Sequence, residues 1–232
     1  MRQGAVGQVR VIQRHGRTVV EKRFADPSRG EVEVLALRAL ADQDLPVPEL
    51  LEVGPESIVM TLMQGERLDS GDADLRLERL RTSAPVLRRL HARRPPAGLP
   101  SGPDDALIVD RYRAAGGPPL PLVIPTTGRP TFCHGDWTDG NLLATGSAIT
   151  AVLDWEAAHV GDPLRELSRA AWGASLKDVR SIEALVEGDD ADPAEVTAWF
   201  PLHAAELWLW FAEAGPPEYL HQLTEKLTRW PT

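Results

Sequence analysis

Between positions 133 and 164 the chain reads CHGDWTDGNLLATGSAITAVLDWEAAHVGDPL. His134, Asp136 and Asn141 stand close together there, with a carboxylate and an amide five positions apart. Leu142-Leu143, a turn around Gly146-Ser147 and the run over 150–153 then predict a β-hairpin. A hairpin returns the chain to the end it left, so Asp154 is expected near Asp136 and Asn141, where the three can converge on one or two metal ions. Carboxylate and amide oxygens are hard ligands that suit magnesium rather than zinc. Phosphoryl transfer asks for such a set. Oxygens must hold magnesium against a triphosphate, and a carboxylate must receive or orient an acceptor hydroxyl, with little covalent work left for the protein.

The elements that would position these residues follow from periodicity. Val9 and Val11 share one side of a first strand, His15-Gly16-Arg17 is a turn, and 18–24 is a second strand on which Val20, Lys22 and Phe24 share a face. A lysine on a face with valine and phenylalanine is unusual. Asp26-Pro27-Ser28 starts a helix whose apolar stripe is Val32, Leu35, Ala36, Ala39 and Leu40, ending near Asp42. Residues 49–53 and 57–63 read as strands around Gly54-Pro55, which completes a small β-rich lobe with one helix. An amphipathic helix over 75–91 carries Leu80, Leu87 and Leu90 inward. A Pro/Gly-rich connection over 93–130 holds one short helix over 106–114. Short strands follow over 130–133 and 151–153, and from 163 to 230 the chain is helical, broken at 188–193 and 215–217.

HGDWTDGN, LDWE and GDPLREL together resemble the aminoglycoside phosphotransferase and choline kinase family, which shares the two-lobed architecture of protein kinases. The spacing from Asp136 to Asn141 equals that of the protein kinase pattern H-R-D-x-x-x-x-N. Gly135 replaces its arginine, LDWE stands in place of D-F-G, and no A-P-E follows, all of which favour the small-molecule branch. The resemblance implies Asp136 as catalytic base, Asn141 and Asp154 as magnesium ligands, and His134 and Asp162 as braces of the catalytic loop. Asp162 reads equally well as a helix cap before Pro163. Glu156 would lie close to the metal. Lys22 matches the strand lysine that contacts the α- and β-phosphates. Its helix partner is Glu33 or Glu31, with Glu33 favoured because Leu37 and Leu40 follow it at the family's spacing. Met60 and Met63 lie in a hinge strand against the nucleotide base, and Gly4 to Gly7 would form a glycine loop over the phosphates. Glu166 stands where the family more often has aspartate.

The resemblance thus implies an α+β, two-lobed, protein-kinase-like fold. Residues 1–65 would be a small N-terminal β-rich lobe that binds nucleotide, and 66–232 a larger, mainly helical C-terminal lobe for catalysis and the acceptor. The implied activity moves the γ-phosphoryl group of ATP or GTP, with Mg2+, to an alcohol group. The stretches after His91 and Glu166 are short for the family, which suggests an acceptor site that is open or small, or one completed by a second subunit in a homodimer. The leading expectation is a cationic, antibiotic-like or amino-alcohol acceptor. The alternatives are a metabolic kinase for choline, thiamine, a sugar or an amino-acid alcohol, and a non-catalytic kinase-like binding protein.

Composition narrows the rest. A chain of 232 residues is long enough for two small lobes around a cleft. Its net charge of −9 argues against a nucleic-acid partner and would tolerate a cationic substrate. There is no run of about 18 apolar residues and no apolar core in MRQGAVGQVR, so neither membrane span nor signal peptide is expected. The one cysteine, Cys133, fits a reducing, cytoplasmic compartment and reads as a small buried strand residue rather than a nucleophile. His91 reads as a helix C-cap. Trp199, Phe200, Trp208, Trp210 and Phe211 pack a core between terminal helices or form an aromatic cage for a quaternary ammonium. Glu187, Asp189, Asp190, Asp192 and Glu195 form a solvated loop or a polyamine site.

Overall fold

The computed structural model describes residues 7–125 and 128–230. Strand β1 (Gly7–Arg14) returns as β2 (Arg17–Phe24). The turn places His15 and Gly16 in the left-handed region at φ 51° and 76°. Positive φ at both loop positions matches the right-handed twist of the flanking strands, and glycine meets it without steric cost. With β3 (Leu50–Val53) and β4 (Ser57–Thr61) they form an antiparallel sheet in the order β1-β2-β4-β3. Central placement buries β2, so Lys22 and Phe24 face inward, while Val9 and Val11 of the edge strand stay exposed.

Helix α1 (Pro27–Leu40) begins at Asp26, whose side chain accepts from the Ser28 amide. Its buried face is Gly30, Glu33, Val34, Ala36, Leu37 and Leu40. The apolar count over 32–40 missed this face by about one position, and Val32, Leu35 and Ala39 are only half-buried. The reason is that α1 is covered from two sides. The sheet lies against one, and a single 3-10 turn at Trp155–Ala157 lies against the other, so the covered arc takes in the charged Glu33.

The larger lobe opens with β5 (Glu66–Arg67), which leaves the first sheet and pairs with β7 (Leu142–Thr145); β7 in turn pairs with β8 (Ala148–Val152). β6 (Thr131–Cys133) pairs with β9 (His159–Gly161). Helices α2 (Ala73–His91), α3 (Asp105–Ala114), α4 (Pro163–Ser175), α5 (Arg180–Asp189), α6 (Pro193–Thr197), α7 (Phe200–Glu213) and α8 (Pro217–Thr228) surround them. The helical region also breaks at 176–179, beyond the breaks expected from glycine and proline.

One core joins Leu37, Leu40 and Ile58 of the small lobe to Leu87, Phe132, Leu142 and Trp155 of the large one. A second packs α3 on α7 and α8 through Tyr112, Trp199, Leu202, Trp208 and Leu223. Trp199 and Trp208 are therefore packing residues, and Trp208 donates its indole N–H to Thr224 at 2.8 Å. Trp210 is different: 53 % of it is exposed. Among the described residues no helix is long and apolar enough to cross a membrane.

Candidate active site

The loop leaving β6 is held from three directions. His134 is fully buried, with its Nε2 2.9 Å from the Leu153 carbonyl and its Nδ1 accepting the Asp136 amide at 3.1 Å. That pair of bonds fixes a neutral ring with the proton on Nε2. Gly135 sits at φ +85°, and a Cβ there would lie 2.1 Å from the Ala157 carbonyl oxygen, so only glycine fits. Further along, Asp139 receives the Arg76 guanidinium at 2.8 Å and Lys177 at 3.0 Å. The loop is thereby tied to α2 and to the end of α4.

The third support is Glu166 of α4, to which the sequence assigned no role. It accepts the backbone N–H of His134 at 3.1 Å and that of Gly135, and its Oε2 lies 2.8 Å from Nε2 of His91 at the end of α2. Burial opposes its charge, but the His91 ring and these backbone donors hold its carboxyl down at about 2. Glu166 thus takes the bracing position expected of Asp162. Asp162 caps α4, accepting the amides of Leu164 and Arg165 at 2.8 and 3.0 Å, while its other oxygen takes the Gly128 amide. His91 is a partner of Glu166 rather than a helix cap. Nothing in the sequence ties these residues together, because they lie 75 positions apart. Cys133 is buried, and burial followed by the Glu166 charge pushes its thiol well above the ordinary range, which removes it as a nucleophile.

Asp136 and Asn141 meet as the spacing predicts. The Asn141 side-chain N–H donates to Asp136 Oδ2 at 2.7 Å and to the Asp136 carbonyl at 3.0 Å. The Asn141 backbone carbonyl accepts the Leu153 amide at 2.8 Å, which draws Asp154 to the same end of the hairpin. Asp154 adopts φ 65° and ψ 70°, a left-handed backbone that costs a non-glycine residue about 1–2 kcal/mol. That conformation turns its carboxylate toward the small lobe, where Oδ1 lies 2.6 Å from Lys22 Nζ. Lys22 also meets Glu33 at 2.6 Å and Glu156 at 3.0 Å, and Glu156 pairs with Arg29 of α1 at 3.0 Å. Burial works against the Lys22 charge, but Glu33 and Asp154 outweigh it and raise its pKa above the ordinary lysine value. Glu31 is exposed and takes no part, so the choice between Glu33 and Glu31 falls to Glu33.

The remaining expectations divide. Met60 is buried in β4, and Met63 is half-buried just beyond it. Gly4 lies outside the described residues. Gly7 is the first residue of β1, paired with Phe24, and a Cβ there would come 2.6 Å from the Arg23 carbonyl oxygen. Its place is thus in the sheet, not in a loop. Within the acidic run over 187–195, Glu187 pairs with Arg81 on the surface and Asp192 caps α6. A cavity of about 680 Å³ opens beside Asp136, and Arg169, Trp172, Lys177, Glu206 and Trp210 help to line it. A smaller one of about 330 Å³ lies between residues 100–103 and His159.

As a donor set, the Asp154 carboxylate and the Asn141 side-chain oxygen fit a hard divalent cation, because Asn141 uses its N–H on Asp136 and leaves its oxygen free to ligate.

Solved structures share this architecture. Macrolide 2'-phosphotransferase MphH from Brachybacterium faecium superimposes with a TM-score of 0.66 at 21% identity, over 99% of this chain and 90% of that one. A thermostable mutant of aminoglycoside phosphotransferase APH(4)-Ia, in ternary complex with AMP-PNP and hygromycin B, gives 0.69 at 18% identity, over 100% and 93%. The gentamicin complex of APH(2")-IIa gives 0.71 at 13% identity, over 98% and 89%. At these identities the likeness is one of fold. No curated protein sequence is significantly similar to the chain. The profile of the phosphotransferase enzyme family matches residues 4–199, which include Lys22, Asp136, Asn141 and Asp154, and the chain belongs to that family of enzymes.

Proposed function

We propose that the chain transfers the γ-phosphoryl group of ATP or GTP to a hydroxyl of an antibiotic-like small molecule. The observation that carries this reading is the meeting of Lys22, from the small lobe, with Asp154, from the large one, at 2.6 Å beside the Asp136–Asn141 pair. A lysine held by a helix glutamate and facing a hairpin aspartate is an arrangement for neutralising phosphates, and here it joins the small lobe to the large one.

In this reading residues 1–65 bind the nucleotide and 66–232 supply the catalytic loop and the acceptor site. Met60 and Met63 pack against the base. Lys22 neutralises the non-transferred phosphates, and Glu33 keeps its ammonium in place. A magnesium ion held by Asn141 and Asp154 would offset charge on the phosphate oxygens. Asp136 has one carboxylate oxygen committed to Asn141, which leaves the other for the acceptor hydroxyl. As the acceptor oxygen bonds to the γ-phosphorus, its proton passes to Asp136 and the bond to the β-phosphate oxygen breaks, releasing nucleoside diphosphate. His134 and Glu166 touch none of the reacting atoms and act by fixing the loop. The bound AMP-PNP and hygromycin B, and the gentamicin, of the structural neighbours support a nucleotide donor and a hydroxyl-bearing natural product as acceptor. A cytoplasmic setting agrees with the lone, buried Cys133.

The test is nucleoside diphosphate release by the purified chain with magnesium, ATP or GTP, and a panel of hydroxyl-bearing acceptors. Release that depends on the acceptor and is lost in Asp136→Ala supports the proposal. Acceptor-dependent release that survives that substitution contradicts it.

A further inference from the structure

The charges of the cavity beside Asp136 decide what can enter it. A polyamine is held by carboxylates free to pair with its ammonium groups. Here they are already engaged. Asp139 is buried against Arg76 and Lys177, and Glu206 receives Arg169 at 2.7 Å and Arg165 at 3.4 Å. Glu166 is buried beneath the loop on His91. Among the described lining residues this leaves Asp136 as the carboxylate with no basic partner. The charged groups that reach solvent are basic: the side chains of Arg67, Arg169 and Lys177 are 41%, 45% and 55% exposed, against 8% for Asp139 and 25% for Glu206. Each of these basic groups is itself paired, Arg67 with Asp69, Arg169 with Glu206, and Lys177 with Asp69 and Asp139, so a polycation approaching Asp136 meets closed ion pairs rather than free carboxylates.

The apolar lining has the opposite character. Trp172 of α4 and Leu176 just beyond it face Leu207 and Trp210 of α7 across the same cavity. Leu176 and Trp210 are 57% and 53% exposed, so two large apolar side chains stand in water at its edge. Next to Trp172, with ring centroids 6.4 Å apart, lies His203, which is buried with neither ring nitrogen hydrogen-bonded. Its nearest charge, Glu206, is 3.8 Å away and already held by two arginines. A buried imidazole with no partner is costly unless something meets it, and a neutral ring offers one N–H and one lone pair to a hydroxyl, carbonyl or ester.

Resting on the phosphotransfer reading above, we propose that the acceptor is a hydroxylated compound with a broad apolar face and no cluster of amines. The face seats on Trp172 and Trp210, and a neutral polar edge meets His203. Such an acceptor would differ from the cationic one expected of the sequence.

Two readouts test this, one of which needs no turnover. Tryptophan emission of the full chain is titrated with gentamicin and hygromycin B, and in parallel with neutral aryl glycosides and hydroxylated macrolactones. Nucleoside diphosphate release is then measured with the same compounds. The expected result is that the apolar compounds change the emission and support release with kcat/KM at least about tenfold above the polyamines. Trp210→Ala, at an exposed position, should raise KM for them about tenfold while kcat stays within about twofold. Polyamines that bind and react as well as the apolar compounds overturn the proposal, as does an apolar panel that neither binds nor reacts. An unchanged KM in Trp210→Ala overturns it too. Binding of the apolar compounds without release from any acceptor leaves the acceptor class standing and removes the phosphotransfer reading instead. Release with polyamines alone does the reverse.

Discussion

Lys22 is the residue on which the two lobes agree. It is buried among Glu33, Asp154 and Glu156, so its charge is compensated by groups drawn from both sides of the cleft. A substitution that leaves the ammonium but releases it should show in catalysis. Glu33→Gln is expected to lower kcat/KM by roughly ten- to a hundredfold, whereas Glu31→Gln, at an exposed helix position, should leave it within about twofold. Steady-state kinetics with a reactive acceptor decide between them, and equal losses would return Glu31 to the site. Glu166 makes a second prediction. Its carboxyl titrates at about 2 in the folded chain against 4.5 ordinarily, so its contribution to stability is present above pH 4.5 and is lost as pH falls toward 2. The shift corresponds to about 3 kcal/mol. Denaturant unfolding of the native chain and of Glu166→Gln should differ by that order at pH 6 and converge as pH falls through 4 toward 2. A constant gap across that range would show that the lost stability has another origin.

At the scale of elements, the β7–β8 hairpin and the loop before it do most to make the site. The Asp136–Asn141 pair is legible in the sequence from its spacing, and a turn at Gly146 with two short apolar runs suffices to return the chain through Leu153 to Asn141, next to Asp154. The brace under the loop is not legible. Glu166, His91 and Arg76 come from α4 and α2, and which helices pack against the loop is a tertiary choice that no local pattern encodes. The face of α1 shows the same limit, since a helix covered on two sides does not follow a single apolar stripe. The role of glycine at 135 is also tertiary: the residue is needed because the Ala157 carbonyl lies against it. Gly135→Ala should therefore displace the loop and lower kcat by about a hundredfold or more, since a positioning error of about 1 Å carries that cost. Nucleotide binding measured by thermal shift should persist, because Lys22 and β4 are untouched. Full activity in that variant would mean that the loop can shift without consequence. The ion pair between α1 and the 3-10 turn is weaker. Arg29 and Glu156 are joined at 3.0 Å with Arg29 45% exposed, so Arg29→Ala should change stability by less than about 1 kcal/mol. The same substitution is expected to raise the nucleotide Kd several-fold by freeing the end of α1, a shift that nucleotide titration reads directly.

Across the whole molecule, one continuous core runs from the small sheet through α1 into the helical lobe, so the placement of Lys22 against Asp154 is set by packing. The small β-rich lobe with one helix was readable from strand and helix periodicity, whereas the two-lobed arrangement rested on the family resemblance. What enters the cleft was not readable. The acidic run and the tryptophan-rich segment left an amine-binding reading open beside a solvated loop and a packed core; the run does not line the cavity beside Asp136, and of the aromatic residues singled out over 199–211 only Trp210 does. The central claim is that Asp136 and the Lys22–Asp154 pair together move a phosphoryl group. Its most direct test is the transfer of labelled γ-phosphate from ATP to an acceptor in a single turnover, comparing the native chain with Asp136→Ala. The expected result is formation of a labelled phosphate ester by the native chain and a fall of at least about a thousandfold in the variant, with ATP affinity within about twofold. Transfer at the native rate in Asp136→Ala would contradict the account.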